Sequence, residues 1–393
     1  MPGIPLTGFD YGIYDIETFD LAPATANFNA EIIKQYCTPR VRFTFNEFVY
    51  DEYVLEAPVI SRGTALSAGS CSIKLNNMDK QWTIFRTAKQ NMGRGMAVGL
   101  YFPGIAGVLK LFLGFVEEVY YEDAAIVLEC RDRMSPMLDK QMGSGQSEID
   151  FYSTTYWPSV LTWTLLTTYG GLSGMGNSQN PHINWASYSQ WQTDCSAKDF
   201  EIQARFAGQS LRSCLAEIAR VTNSFFWLDG ESKINFGLFE PPLYTGQDFT
   251  YDRSECIKID ASITKKTVLN NITIFYGYNP AADTWVDSVN TQDGVSAGRY
   301  GSREEVLESK IVWHADLASA TSFAQVRLDT VKVPQEKMHI ITPLLGLTCG
   351  IGDKVALQET LKDMISEIYW VNEIIAIDLN DGSIEIDGLM MSY

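Results

Sequence analysis

The sequence predicts a mostly β protein with some helix, an α+β fold, over 393 residues. Aromatic residues make up 12% of the chain, and rings pack well on the pleated surface of a sheet. Several segments alternate apolar and polar residues, which is the pattern of half-buried strands. Few segments repeat apolar residues at the spacings of three and four that indicate amphipathic helices. A chain of this length has room for about two to four domains.

Residues 28–142 are predicted to form the first β module. The segment 41–45 alternates apolar and polar side chains, as a strand does. The run 97–116 contains a single charged residue, so its composition alone would suit a membrane span. Pro103 and Gly104 interrupt the run, however, and predict two buried strands joined by a turn.

Residues 143–250 are predicted to form an inserted α+β accessory domain that is rich in aromatic residues. The domain opens with a Gly- and Ser-rich linker, which marks a boundary. An amphipathic helix is predicted over 211–221, with Ser210 near its amino-terminal cap. Asp229 and Gly230 then predict the tight turn of a β-hairpin.

Residues 251–393 are predicted to form a second β module with one helix. Apolar spacing predicts the helix over 316–331, and Pro334 ends it. A turn is expected at Gly352-Asp353, and Asp381-Gly382 predicts a hairpin between the last two strands. Five residues of the first of these strands are expected to share one face: Ile368, Trp370, Asn372, Ile374 and Ala376.

The composition indicates a soluble protein that folds in a reducing cytoplasm. The formal net charge of −18 disfavours tight binding to nucleic acid, because cations must neutralise the phosphates. Such a surface suits DNA that slides past it, but simple solubility is the more ordinary explanation of the charge. Seven scattered cysteines without a CxxC pair predict buried free thiols. No basic segment precedes Lys34, so no signal peptide is predicted.

The sequence shows no catalytic, cofactor or metal site, and we expect none. The histidines His182, His314 and His339 have no second ligand at metal-binding spacing. No nucleophile elbow and no phosphate-binding loop occurs. A pair of facing carboxylates stays possible among 48 acidic residues, since a glycosidase needs only two. The prediction is a protein that is not an enzyme.

The order of several motifs resembles that of phage tail hub (baseplate hub) proteins. A Tyr-Gly-Ser-Arg-Glu segment at 300–304 precedes a helix, an extended segment and a Gly-Asp turn, as in the C-terminal domain of that family. The segments 111–116, 228–230 and 268–273 are also similar to it. The resemblance covers about 43–389. It implies two β-barrel-like tube or ring modules flanking an inserted accessory domain, with three chains closing a ring.

This resemblance favours a structural virion protein at the hub of the tail tip or baseplate. Its homotrimeric ring would continue the tail tube, join it to tip or fibre proteins, and let DNA pass during ejection without specific binding. The candidate interface residues are Phe9, Tyr11 and Tyr14 of an extended arm at 1–27, with Trp370 and Ile374 of the last strand pair. Ring closure would satisfy strand edges that otherwise invite uncontrolled pairing. Assembly is expected in the host cytoplasm.

An alternative function is that of a carbohydrate-binding or glycan-degrading tail-associated protein. It would act through the aromatic cluster of residues 150–195, with a platform made of Trp157, Trp185, Tyr188 and Trp191. Rings of this kind can stack on sugars. The other interpretation of the cluster is that it forms the core and interface of the accessory domain.

Overall fold

The fold is mostly β with some helix, as predicted, and is taken from a computed structural model. The residues it describes are 40–64, 66, 69–83, 85, 95–101, 108–142, 148–172, 180–239, 248–343, 346–347, 349–359 and 364–390. The predicted arm at 1–27, with Phe9, Tyr11 and Tyr14, lies outside the described residues, and so does the predicted turn at 103–104.

One large sheet of 13 strands draws on both ends of the described chain. Its first strands are β1 Arg40–Phe45, β2 Phe48–Val49, β3 Val54–Gly63, β4 Ser70–Asn76, β5 Gly95–Tyr101, β6 Leu109–Tyr121 and β7 Ala125–Asp132. Its remaining strands are β12 Phe249–Asp252, β13 Lys258–Thr264, β18 Gln335–Pro343, β19 Lys354–Glu359, β20 Met364–Asp378 and β21 Ser383–Met390. The pairing is antiparallel except between β12 and β19.

The strand order of the large sheet is β13-β18-β21-β20-β3-β4-β7-β6-β5-β1-β2, and β19 joins it by pairing with β20. The two halves meet where β20 pairs with β3, with Ile377 opposite Ile60 and Asp378 opposite Val59. A single apolar core lies under both halves. The described strands therefore form one open sheet where two separate β-barrel-like modules were predicted.

A second sheet of six strands forms a smaller layer with its own core. Its strands are β8 Ile149–Tyr156, β9 Ile202–Phe206, β14 Asn271–Tyr276, β15 Asp287–Gln292, β16 Glu304–Leu307 and β17 Val312–His314. The hairpin β10 Ser224–Leu228 and β11 Ile234–Leu238 stands beside it. The predicted division at residue 250 places residues 251–393 in one module, whereas the strands after that point pair in both sheets.

Six α-helices have their bounds among the described residues, besides short 3₁₀ turns and a π-helical turn at Leu165–Tyr169. They are α1 Ser135–Leu138, α2 Pro158–Thr164, α3 Trp185–Ala197, α4 Leu211–Val221, α5 Gly294–Tyr300 and α6 Leu317–Val331. None of the helices in this described part combines the length and hydropathy needed to cross a bilayer. Helix α3 packs on β11, and α4 packs on β10 and β17. Helix α6 lies across β14, β15 and β17, so its apolar stripe closes the smaller core.

The helix boundaries follow the predicted caps. Ser210 accepts a hydrogen bond from the backbone N–H of Ser213 at the start of α4, and Asp316 accepts one from Ser319 at the start of α6. Each cap satisfies a donor that the first helical turn leaves free. Helix α6 ends at Val331, before Pro334. After Asp132 the chain forms a single helical turn, α1.

A buried polar joint ties the β10–β11 turn to the large sheet. Ser232 is fully buried, and its hydroxyl contacts the Leu113 carbonyl oxygen at 2.8 Å and an Asp132 carboxylate oxygen at 2.9 Å. Gly230 comes so close that an added Cβ would stand 2.5 Å from the Lys110 carbonyl oxygen. The Arg62 guanidinium donates to the Leu111 carbonyl beside it. The joint therefore fixes the smaller layer against the large sheet.

The predicted Gly-Asp turn carries a second buried acid. Gly352 has φ +92°, and an added Cβ would lie 3.2 Å from the rings of Phe225 and Trp227. The Asp353 carboxylate accepts the Gly350 N–H at 2.6 Å. Burial raises the pKa of Asp353 to about 7, and the negative charge of Asp248 acts in the same direction.

Replacing Ser232 by alanine should lower the free energy of unfolding by about 1 to 3 kcal/mol, because a buried carboxylate oxygen loses its donor. Urea denaturation measures the change. Ser262→Ala on exposed β13 is the control and should leave the midpoint almost unchanged. Equal urea midpoints for the two variants would show that the Ser232 contacts do not stabilise the protein.

The contribution of Asp353 to the free energy of unfolding should fall as the pH rises from 4 to 7. In the folded state the pKa of Asp353 is about 7, so its carboxyl group keeps a proton over this range. In the unfolded chain the pKa is 3.8, and the proton has been released. The favourable contribution is complete below pH 4 and is lost as pH rises through 7, by at most about 4 kcal/mol. The measurement is the free energy of unfolding in urea at a series of pH values. Asp353→Asn should make this free energy less dependent on pH between 4 and 7, whereas Asp381→Asn in an exposed turn should not.

Candidate interaction surface

The large sheet has one apolar face and one polar face. Along β21, Ile384 and Ile386 are buried in the core, while Glu385 and Asp387 lie on the opposite face. The alternation follows from the period of two along a strand. Because β20 joins β3, the polar face runs without interruption from β13 to β6.

Carboxylates from distant parts of the chain stand in rows on this face. One row crosses four strands through Asp260, His339, Asp387 and Glu373. A second crosses five strands through Asp378, Val59, Ser72, Glu129 and Glu118. We call this surface the acidic face and define it by its carboxylates: Glu56, Glu117, Glu118, Glu129, Asp260, Glu373, Asp378, Glu385 and Asp387.

Two lysines on the acidic face, Lys74 and Lys258, are paired with carboxylates. Lys74 contacts Glu56 at 3.2 Å and Glu122 at 3.0 Å, and Lys258 contacts Asp260 at 2.8 Å. The hydrogen bond to Glu122 raises the pKa of Lys74, and the bond to Asp260 raises that of Lys258. These cations stay charged at neutral pH and are already neutralised by their partners. They therefore offer little attraction to a phosphate.

The histidines and thiols do not assemble a reactive centre in the described residues. The Nδ1 atom of His339 lies 2.8 Å from Asp387. His314 is buried, and burial lowers its pKa to about 3. Burial also lowers the pKa of His182 beside Arg133. The cysteines of the described chain are buried, and no group of three or more His, Cys, Asp or Glu there could hold a metal ion.

The candidate interface residues on β20 do not share a face. Trp370 is half-buried, with the Lys354 ammonium 5.1 Å from its ring centroid. Ile374 is 3% exposed and belongs to the large core. The pairing of β20 with β21 shifts register twice, between Val371 and Glu373 and again before Ala376. Each β-bulge changes which side chains point inward, so the prediction of one common face is wrong.

The predicted aromatic platform is mostly core. Trp191 is fully buried, and its Nε1 donates to the Ser224 hydroxyl at 2.8 Å. Tyr188 is buried, its hydroxyl donates to the Ser159 carbonyl at 2.8 Å, and burial raises its pKa to about 12. Trp185 is half-buried against Tyr188. Trp157 alone of the four is exposed, so these residues present no common ring surface to a sugar.

A different aromatic group faces solvent on the outer side of the smaller sheet. It consists of Phe275, Tyr278 and Trp285, which are half-buried and neighbour one another. The sequence pattern does not mark this group, because Phe275 stands at an outward position of β14 while Tyr278 and Trp285 lie in the connection between β14 and β15. The Asn-Pro pair within that connection was the available signal.

Replacing Trp191 by alanine should destabilise the protein by about 3 to 5 kcal/mol, because it leaves a cavity in the smaller core. Replacing the exposed Trp157 by alanine should destabilise the protein by much less than this. Urea unfolding followed by circular dichroism compares the two variants. Equal losses would show that Trp191 is not the core residue described.

Comparisons with solved structures identify the fold. A tail protein from Neisseria meningitidis MC58 has a TM-score of 0.57 at 12% identity, over 89% of this chain and 96% of that one. The 43 kDa tail protein of prophage MuSo2 from Shewanella oneidensis has 0.55 at 11% identity, over 89% and 98%. Prophage tail protein gp18 from Listeria monocytogenes EGD-e has 0.53 at 10% identity, over 89% and 94%.

No protein-family model and no curated protein sequence matches the chain. Identities near one in ten leave little trace in a sequence, while the similar structures span almost the full length of both chains. The resemblance inferred from motif order is thus confirmed at the level of the fold: this chain folds as solved phage tail proteins do.

Proposed function

We propose that the protein is a structural component of a phage tail, the hub of the tail tip or baseplate, and that it acts as a homotrimeric ring. The observation that carries the proposal is the acidic face, which spans strands from both ends of the chain on one continuous sheet. A sheet with one core face and one charged face is suited to line a channel. The likeness in fold to tail proteins supports the same role.

The electrostatics of the acidic face suit the passage of DNA. Duplex DNA carries a dense line of phosphate charge, and proteins retain it by neutralising phosphates with Lys and Arg. Here Lys74, Lys258 and Arg131 are bound to carboxylates of the protein. A lumen formed by this face would repel the phosphates evenly, and the DNA would pass without specific binding.

The ring would connect several partners. We propose that it continues the tail tube on one side and joins tip or fibre proteins on the other. Phe9, Tyr11 and Tyr14 of the arm at 1–27, together with Trp370, are the candidate contacts between subunits. Ile374 is less suited to such a contact because it is buried in the core of its own subunit. In this proposal the protein assembles in the host cytoplasm and ends in the virion.

A structural role also agrees with the chemistry of the described residues. The thiols are buried, and burial raises the pKa of the Cys130 and Cys349 thiols well above the ordinary value. A nucleophilic cysteine needs the opposite, an accessible thiol with a lowered pKa. We therefore propose that the protein is not an enzyme.

The purified protein should have about three times the chain mass of 44.0 kDa in light scattering after size exclusion. Negative-stain images should show a threefold ring with a hole on the order of 20 Å, the width of duplex DNA. A monomer at high protein concentration that also fails to assemble on tail tubes would refute the ring.

Reversing charges on the acidic face should make the protein retain DNA. The triple variant Glu118→Lys, Glu129→Lys and Glu373→Lys should bind a 30-base-pair duplex with an affinity that falls steeply with salt, as phosphate contacts do. The unchanged protein should not bind. The assay is fluorescence anisotropy between about 50 and 200 mM salt.

The control carries the same charge change on the smaller layer, with Asp150, Asp199 and Asp287 replaced by lysine; all three are exposed. If the control triple retained DNA as strongly as the face triple, the effect would be one of net charge alone. That result would remove the special role of the acidic face.

A further inference from the structure

The hairpin extension between β14 and β15 folds over the outer face of the smaller sheet and forms an ordered aromatic surface. Gly277 has φ +63° and contacts Val286 closely, so the chain can turn back there. Asn279 and Thr284 bridge the extension. The Asn279 side chain also accepts the N–H groups of Ala281 and Ala282. The turn is therefore a rigid element of the surface.

The rings of this surface are held by neighbours beneath and beside them. Tyr278 meets buried Trp313 edge-on at 5.2 Å between centroids and lies 4.8 Å from Trp285. Phe275 lies 5.8 Å from Trp285. These three half-buried rings, Phe275, Tyr278 and Trp285, form what we call the outer aromatic surface. Their mutual packing fixes their orientation before any ligand arrives.

Charged groups surround the rings at fixed positions. The Trp285 Nε1 donates to Glu308 at 3.0 Å. The Tyr278 hydroxyl donates to Asp283 at 2.6 Å, and the Lys310 ammonium donates to the same Asp283 oxygen at 2.7 Å. The Asp283 carboxylate is 67% exposed. Each carboxylate therefore has capacity to accept further hydrogen bonds from a hydroxyl-rich ligand.

We propose that the outer aromatic surface binds a neutral, β-linked glycan chain. The flat C–H face of a pyranose suits a half-exposed ring, and its hydroxyls suit the carboxylates at the edge. Small-molecule sites combine these same two features, apolar rings and a few placed polar groups. The site is separate from the acidic face, and the inference stands whether or not the protein forms a ring.

Other ligands fit the surface less well. Nucleic acid is disfavoured because Asp283 and Glu308 repel phosphates and the nearest ammonium, that of Lys310, is already paired. The same carboxylates disfavour anionic polysaccharides. A protein partner is disfavoured because charged residues are depleted from the centres of protein interfaces, whereas here they lie directly beside the rings.

The test titrates the full chain with chitotetraose and with cellotetraose, using calorimetry and tryptophan fluorescence. We expect saturable binding with a dissociation constant on the order of 1 mM. Maltotetraose, whose α-linked chain is coiled, should bind at least about tenfold more weakly. No binding of either β-linked probe up to about 10 mM, or equal binding of maltotetraose, would overturn the proposal.

Substitutions locate the site. Trp285→Ala should weaken binding about tenfold, as loss of a central aromatic contact does, and Trp285→Phe should restore most of it because a ring is kept. Trp157→Ala, which removes an exposed tryptophan outside this surface, is the matched control and should bind as the unchanged protein does. Unchanged binding by Trp285→Ala, or equal losses in Trp285→Ala and Trp157→Ala at equal thermal stability, would place the glycan elsewhere.

Discussion

Pairing of β20 with β3 is the contact on which the architecture depends. These strands lie more than 300 positions apart in the chain, and their hydrogen bonds turn two strand groups into one sheet. Without this pairing each group would expose an edge and half of the apolar core. With it, Ile60 and Ile377 share the buried side while Val59 and Asp378 share the other. Both the core and the acidic face therefore follow from one strand pairing.

The second constraint is polar and acts between the layers. Ser232, Asp132 and Arg62 meet where the β10–β11 turn reaches the large sheet. Apolar packing tolerates small shifts, but buried hydrogen bonds lose their value unless donors and acceptors align. Gly230 belongs to the same constraint, since any side chain there would collide with the Lys110 carbonyl. The orientation of the smaller layer is thus set by direction-dependent contacts.

Features with local causes could be predicted from the sequence. The helices α4 and α6 follow from apolar spacing and from caps at Ser210 and Asp316, and the β10–β11 hairpin follows from Asp229-Gly230. The assignment of strands to sheets could not be predicted, because the pairing of β17 with β9 joins β14, β15 and β16 to β8 and β9 through a contact distant in sequence. Which side chains of β20 point to each face could not be predicted either. Alternation assumes a strand without β-bulges, and β20 has two where it pairs with β21.

The functional surfaces were harder to predict than the fold for the same reason. Composition reveals that a segment holds tryptophan and tyrosine, but burial depends on what packs against them. Trp191 packs against Phe226 and Phe236 of the β10–β11 hairpin and is core, whereas Trp285 lies outside the six-stranded sheet, where it borders solvent. The same holds for the acidic residues. Nothing in the local sequence marks Asp260, Glu129 or Glu373, and they form a continuous acidic surface only because of the strand order. A surface made by long-range pairing has no local signature, so its function must be derived from the pairing.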